Sequence, residues 1–153
     1  MPDQSPPSTL DLQKQIASKC NDAAWDLIEQ PNLEPTDIAQ LLTLSATARH
    51  HWYEVGTTKN VAHADLLFAW ALARAGVSKA ADLLARVAMS HFEKNGATWE
   101  RAFAHAAMAA ACQVDGDTDG FKRHRAKAEQ LGAQLSGPDA KYFYAAFATL
   151  ENY

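Results

Sequence analysis

Glycine, proline and cysteine are scarce in this 153-residue chain, numbering seven, six and two. The two cysteines, Cys20 and Cys112, lie far apart and fit no zinc or redox spacing, so a reducing cytoplasm is the expected compartment. No apolar run reaches the roughly 18 residues of a membrane-spanning helix. The N-terminal MPDQSPPSTLDLQKQ lacks a basic segment followed by an apolar one, so no signal peptide is expected. Positive charge is not in excess either: 14 Lys and Arg stand against 18 Asp and Glu, a net charge of −4. That balance removes the basic footprint of a nucleic-acid binder. β-Branched runs are missing too, and with them the usual signal for strands.

What remains is alanine-rich and helical. Hydrophobic residues make up 48% and charged residues 21%, ordinary for one globular domain of a size that builds a core without disulfides or metal. Glycine and proline fall between periodic segments rather than inside them, and the spacing predicts about seven helices. After a disordered arm over residues 1–8, a single domain is expected over 9–153. Its first helix covers 9–29 and ends at Pro31; the second covers about 35–56. The third, 61–75, stops at Gly76. The fourth, 78–94, starts with Ser78 as N-cap and ends at Asn95-Gly96. The fifth covers 98–114 and the sixth 118–135, with Ser136-Gly137-Pro138 closing it before a capping helix over 138–153.

Helix faces differ. ADLLFAWALARA in the third helix is apolar nearly all round, which requires neighbours on several sides. The fourth pairs a polar stripe (Lys79, Asp82, Arg86, Ser90, Glu93) with an apolar side containing Leu84, Val87, Ala88 and Phe92. The fifth carries AFAHAAMAAA, small residues that let helices approach closely. Sliding the chain by 40 residues brings Ala69 onto Ala109, Ala71 onto Ala111, Gly76 onto Gly116 and Ala88 onto Ala128. The repeats so defined cover about 61–95 and 98–136.

The spacing Ala69–Gly76–Ala81–Ala88, and less completely Ala109–Gly116-Asp117–Phe121–Ala128, resembles the tetratricopeptide pattern of small residues at a helix crossing around a Gly-Asp turn. The period of 40 exceeds the usual value of about 34, and Phe121 replaces a small residue. The strings HHWYEVGTTKNVAHADLLFAWALARAG, WERAFAHAAMAAACQVDGD and GPDAKYFYAAFATL are similar to a bacterial family of tetratricopeptide-like fold with no settled activity. The resemblance implies an all-α, right-handed superhelix of antiparallel helix pairs and supplies no mechanism.

One string looks like metal chemistry. Asp115-x-Asp117-x-Asp119-Gly120 begins as a calcium helix–loop–helix does, but the closing position, which needs a bidentate glutamate, is Ala126, and Lys122 and Arg123 intrude. The simpler expectation is a turn in which Asp117 or Thr118 caps the sixth helix and Asp119 sits at its positive end. The adjacent pair His50-His51 points about 100° apart on a helix, unsuited to one ion. No catalytic glycine, zinc or nucleophile motif is present.

In such a stack the first helix of each pair lines the concave side. His63, Leu66, Trp70 and Arg74 form one stripe on the third helix, with Phe103, Ala106, Ala110 and Gln113 as counterparts on the fifth. A groove with His63 and Arg74 at its ends suits a peptide, or an apolar ligand carrying a negative group. The alternative is that the first, second and seventh helices cover it and make Trp70 core. The expected function is a non-enzymatic interaction or scaffold module that binds a peptide or protein segment, with homodimerisation a further option. No catalytic residue, metal, cofactor, nucleic acid or membrane is expected. Two rivals are a small-ligand sensor with a pocket around Trp70 and Phe103, and a metalloenzyme using His63, His105 or His50-His51.

Overall fold

Helix propensity carries the chain wherever Gly and Pro are absent. A computed structural model describes residues 5–152, the last by its backbone alone. Half of the expected arm, residues 1–4, thus lies outside the described residues. These form α1 (Thr9–Ile28), α2 (Pro35–Val55), α3 (Thr58–Arg74), α4 (Ser78–Asn95), α5 (Thr98–Asp115), α6 (Thr118–Gly132) and α7 (Gly137–Phe147). A 3-10 segment, Ala148–Asn152, follows, and no strand occurs among the described residues.

Capping sets the limits. Ser8 Oγ accepts the Asp11 N–H at 3.1 Å while the Asp11 carboxylate takes the Ser8 N–H at 3.2 Å, a reciprocal box that starts α1. Thr57 and Asn60 make the same exchange, at 3.2 and 3.0 Å, which is why α3 begins at Thr58 and not at the expected residue 61. Ser78 is the first residue of α4 and not its cap; Val77 holds that position without a side-chain bond. Asp117 caps α6, its carboxylate accepting the Gly120 N–H at 2.9 Å. Asp115 thus ends α5, while Asp117 caps α6 and Asp119 lies in its first turn, the turn-and-cap arrangement expected. α6 ends at Gly132, short of residue 135, and a turn bond from Leu135 N–H to Gly132 O (3.0 Å) follows.

The 40-residue repeat is physical. α3 and α5 start at Thr58 and Thr98, α4 and α6 at Ser78 and Thr118. Gly76 and Gly116 both adopt positive φ, 77° and 80°, the region where a side chain is strained. Each turn closes with the same bond, Val77 N–H to Leu72 O and Asp117 N–H to Cys112 O, both 2.9 Å. Helices adjacent in sequence pack against each other, and α3 additionally meets α1 and α5, while α5 meets α7. This is an all-α helical-repeat arrangement with α3 and α5 at its centre.

Alanine makes the close central packing feasible. Ala102, Ala104, Ala106, Ala107, Ala109, Ala110 and Ala111 of α5 have no exposed surface, so backbones approach without intervening side chains. The outer helices follow their expected faces with one correction: Val87 is 47% exposed, one turn from exposed Leu83, so it belongs to the solvent side of α4. The largest fully buried side chain is Trp70 on α3. Trp25 of α1 lies edge-on to it, with centroids 5.6 Å apart and planes at 75°, and the Trp25 ring also meets Phe103 at 5.4 Å and 76°. Of the two readings of Trp70, core is the one observed. Trp70→Ala is expected to lower unfolding stability by about 3–5 kcal/mol in urea denaturation, through lost burial and the cavity left behind. A change near zero would contradict this packing.

Candidate functional site

α1 carries Asp22, Trp25 and Asp26 and is capped at its C-terminus by Glu29; spacings of three and four along this segment set them on one side. Trp25 turns inward to the α3–α5 cluster and the carboxylates border solvent. This face forms one wall of a cavity of about 570 Å³. α3 contributes His63 and Leu66, α5 contributes Trp99 and Phe103, and α7 contributes Asp139 and Tyr142. Phe103 packs edge-on to Phe143 of α7 at 5.5 Å, which helps hold the α7 wall in place. The volume falls in the range of small-ligand sites, about 300–1,000 Å³.

Two features define its chemistry. The walls are aromatic: Trp25 and Trp99 are half-buried, and Tyr142 is 59% exposed. The rim is acidic, with Asp22, Asp26, Glu29 and Asp139, and neither Lys nor Arg lines the cavity. Burial, and then the neighbouring Asp26 charge, push the Glu29 carboxyl above its ordinary range against the opposing pull of Lys141.

Behind the cavity wall lies Glu100, 1% exposed. Its Oε2 accepts the Ala97 N–H at 2.8 Å, which caps α5, and its Oε1 meets His63 Nε2 at 2.8 Å and Lys59 Nζ at 3.3 Å. Burial raises this carboxyl, but the bonds from Ala97, His63 and Lys59 outweigh it and hold Glu100 below its usual range. Glu100 thereby joins α5 to α3 and fixes the orientation of His63. The imidazole stacks on Trp99 at 5.3 Å with planes 18° apart, so ring and indole form one continuous surface. Asp65, also 1% exposed, plays the parallel role between α3 and α2: its Oδ1 accepts from Arg49 Nε at 2.8 Å and its Oδ2 from the Tyr53 hydroxyl at 3.0 Å.

The sequence-predicted stripe divides in two. His63, Leu66 and Phe103 line the cavity. Trp70 does not reach it, because Trp25 covers that ring and leaves it 0% exposed. Arg74 is drawn to the end of α1, where Nη1 donates to Ile28 O at 3.1 Å and Nη2 to Gln30 O at 2.9 Å. Ala106 and Ala110 are buried between helices, and Gln113 is half-buried and does not line the cavity. Arg74 therefore does not form one end of the cavity, as the spacing had suggested, and four carboxylates stand at the rim. Trp25, Trp99 and the α1 acids were missed by sequence reasoning, although the Asp22–Trp25–Asp26–Glu29 spacing was a readable signal.

The remaining histidines are arranged elsewhere. His105 Nδ1 and His124 Nδ1 lie 3.1 Å apart between α5 and α6, so one ring donates to the other, and His105 Nε2 lies 3.4 Å from Glu93. The His50 and His51 rings touch at 5.3 Å on α2. Among the described residues no three His, Cys, Asp or Glu side chains are grouped to hold a metal ion. Scans against family models, curated proteins and solved structures each returned no match.

Burial is the main cause that lowers the pKa values of His63, His105 and His124; Glu100 opposes it at His63 and Glu93 at His105, while Arg123 adds to it at His124. Each imidazole therefore binds its proton more weakly in the folded chain than in the unfolded one. Below about pH 6.5 the unfolded state holds more protons, and stability falls with falling pH. Glu29 acts oppositely in a more acidic window, since its raised folded pKa favours the protonated native state as pH approaches the carboxylate range. The unfolding free energy is expected to decline as the solution is acidified from about pH 7.5 through about pH 6.5. Urea denaturation across that range checks it, and stability that holds or rises would contradict the buried-imidazole account.

Proposed function

We propose that this chain is a non-enzymatic, tetratricopeptide-like interaction module of bacterial type, working in the cytoplasm, which binds a peptide or protein segment through the cavity between α1, α3, α5 and α7. The observation that carries this reading is the aromatic lining: Trp25, Trp99 and Phe103 come from two helices, and two of the three remain half-buried instead of closing into core. Aromatic rings left partly open in a concave site are the residues that dominate recognition surfaces. The fixed His63–Trp99 stack supports the same reading, because a rigid surface loses little entropy on binding. The resemblance to helical-repeat scaffolds agrees with it by analogy of fold.

A small-ligand sensor is the second reading, favoured by the cavity volume of about 570 Å³ and by Phe103 in its wall. In that version Trp70 supports the pocket from beneath through Trp25.

Selection of a random peptide library on the immobilised protein tests the leading reading. Enriched peptides are expected to bind Trp99→Ala about tenfold more weakly than the unsubstituted chain. They should bind Leu83→Ala, altered on the exposed face of α4, without loss. Enriched peptides that bind Trp99→Ala equally well, or no enrichment at all, would overturn the assignment of a peptide to this cavity.

A further inference from the structure

The last turn of α1 breaks the usual electrostatics of a helix end. The negative pole of a helix favours cations. α1 has no basic residue in its last turn, and it places Asp26 and the C-capping Glu29 there instead. Asp22 stands four residues before Asp26, a like-charge spacing that destabilises an isolated helix. Among the described residues, Asp22 accepts a hydrogen bond from the neighbouring Asn21 Nδ2 at 3.3 Å, which does not neutralise its charge. Asp139 is different, since it lies in the first turn of α7, where a carboxylate is favourable. Arg74, the guanidinium bonded to this end of α1, donates to the carbonyl oxygens of Ile28 and Gln30. Lys141 is the cation that acts on Glu29.

These charges border an aromatic cavity and do not stand on an open face. Trp25 sits between Asp22 and Glu29 on α1, and about 10.5 Å of helix axis separates those two acids, so the rim offers carboxylates along the length of an extended side chain. Indole faces attract cations, and guanidinium in particular stacks on them while its planar fork pairs with carboxylates. His63 adds no competing positive charge near neutral pH, because burial holds its imidazole below the ordinary range. A neutral occupant would leave the rim repulsion in place; an anionic one would increase it.

We propose that the cavity is the receptor for an arginine side chain of a partner peptide, with the guanidinium held among Asp22, Asp26 and Glu29 against Trp25 and Trp99. This rests on the binding-module reading above and narrows it to a basic segment. Charge complementarity selects the occupant: four carboxylates line the site and no lining residue is Lys or Arg. A bound guanidinium lowers the pKa of Glu29, since it adds to the pull of Lys141 against burial and the Asp26 charge.

The test uses the ¹⁵N-labelled full chain and blocked tripeptides, acetyl-Ala-X-Ala-amide, with X as arginine, citrulline, phenylalanine or glutamate. Citrulline keeps the shape of arginine without its charge. The arginine peptide is expected to shift the indole N–H resonances of Trp25 and Trp99, with Trp52 and Trp70 nearly unmoved. Its affinity should exceed that of the citrulline peptide about five- to tenfold and weaken with added salt. Asp26→Asn and Glu29→Gln should each weaken it about threefold or more, with melting temperature confirming that both variants fold. If citrulline or phenylalanine peptides bind at the same indoles as tightly as arginine, the cation claim is overturned while the binding-module reading stands. If methylguanidinium alone matches the arginine peptide, the partner is a small cation and the peptide assignment is overturned. If no probe moves these indoles, both readings fall.

Discussion

The contact of Trp25 with Trp70 and Phe103 determines what the rest of the molecule can be. α3 and α5 alone would present a shallow groove with the Trp70 indole at its floor. α1 places one large ring over that floor, edge-on to both partners, and the lower half of the groove becomes core. The upper half stays open because α1 offers carboxylates there, which remain in solvent instead of packing. Arg74 anchors this arrangement through its bonds to the carbonyl oxygens at the end of α1, which leave a helix terminus satisfied within the structure. Core and cavity are consequences of a single helix placement.

Two buried carboxylates hold the central helices in register. Asp65 ties α3 back to Arg49 and Tyr53 of α2, and Glu100 ties α5 back to Lys59 and His63 of α3. Buried charges are costly unless paired and hydrogen-bonded, and both meet that condition. Glu100 also illustrates economy in the repeat. Asn60 stands 40 residues earlier and caps α3 through the Thr57 N–H, as Glu100 caps α5 through the Ala97 N–H. The longer, charged side chain at the second position reaches the neighbouring helix as well. It fixes the imidazole that stacks on Trp99, so a capping residue ends up shaping the cavity wall.

Local features of this fold were readable in the sequence because their causes are local. Gly76 and Gly116 mark turns through a positive φ, and in the Asp115–Gly120 string Asp117 caps α6 by accepting the Gly120 N–H. The helix count and the all-α repeat followed from periodicity and caps. The start of α3 was misplaced because the Thr57–Asn60 exchange was overlooked. The site was only half legible. His63, Leu66 and Phe103, expected in the groove from helical spacing, line the cavity, whereas Trp70 and Arg74, expected there on the same spacing, lie elsewhere. Spacing reports which residues share a face; it does not report which other helix covers that face. α1, α3, α5 and α7 meet through tertiary docking, and no property of any one of them encodes the angle.

Hydrogen exchange of the four indole N–H groups, followed by NMR, addresses the covering of Trp70 by α1 most directly. The Trp70 indole is expected to exchange only with global unfolding, with protection equal to that of the slowest backbone amides, while Trp99 at the cavity wall exchanges far faster. Equal and rapid exchange of Trp70 and Trp99 would mean that the groove is open along its length, and the division into core and cavity would be wrong.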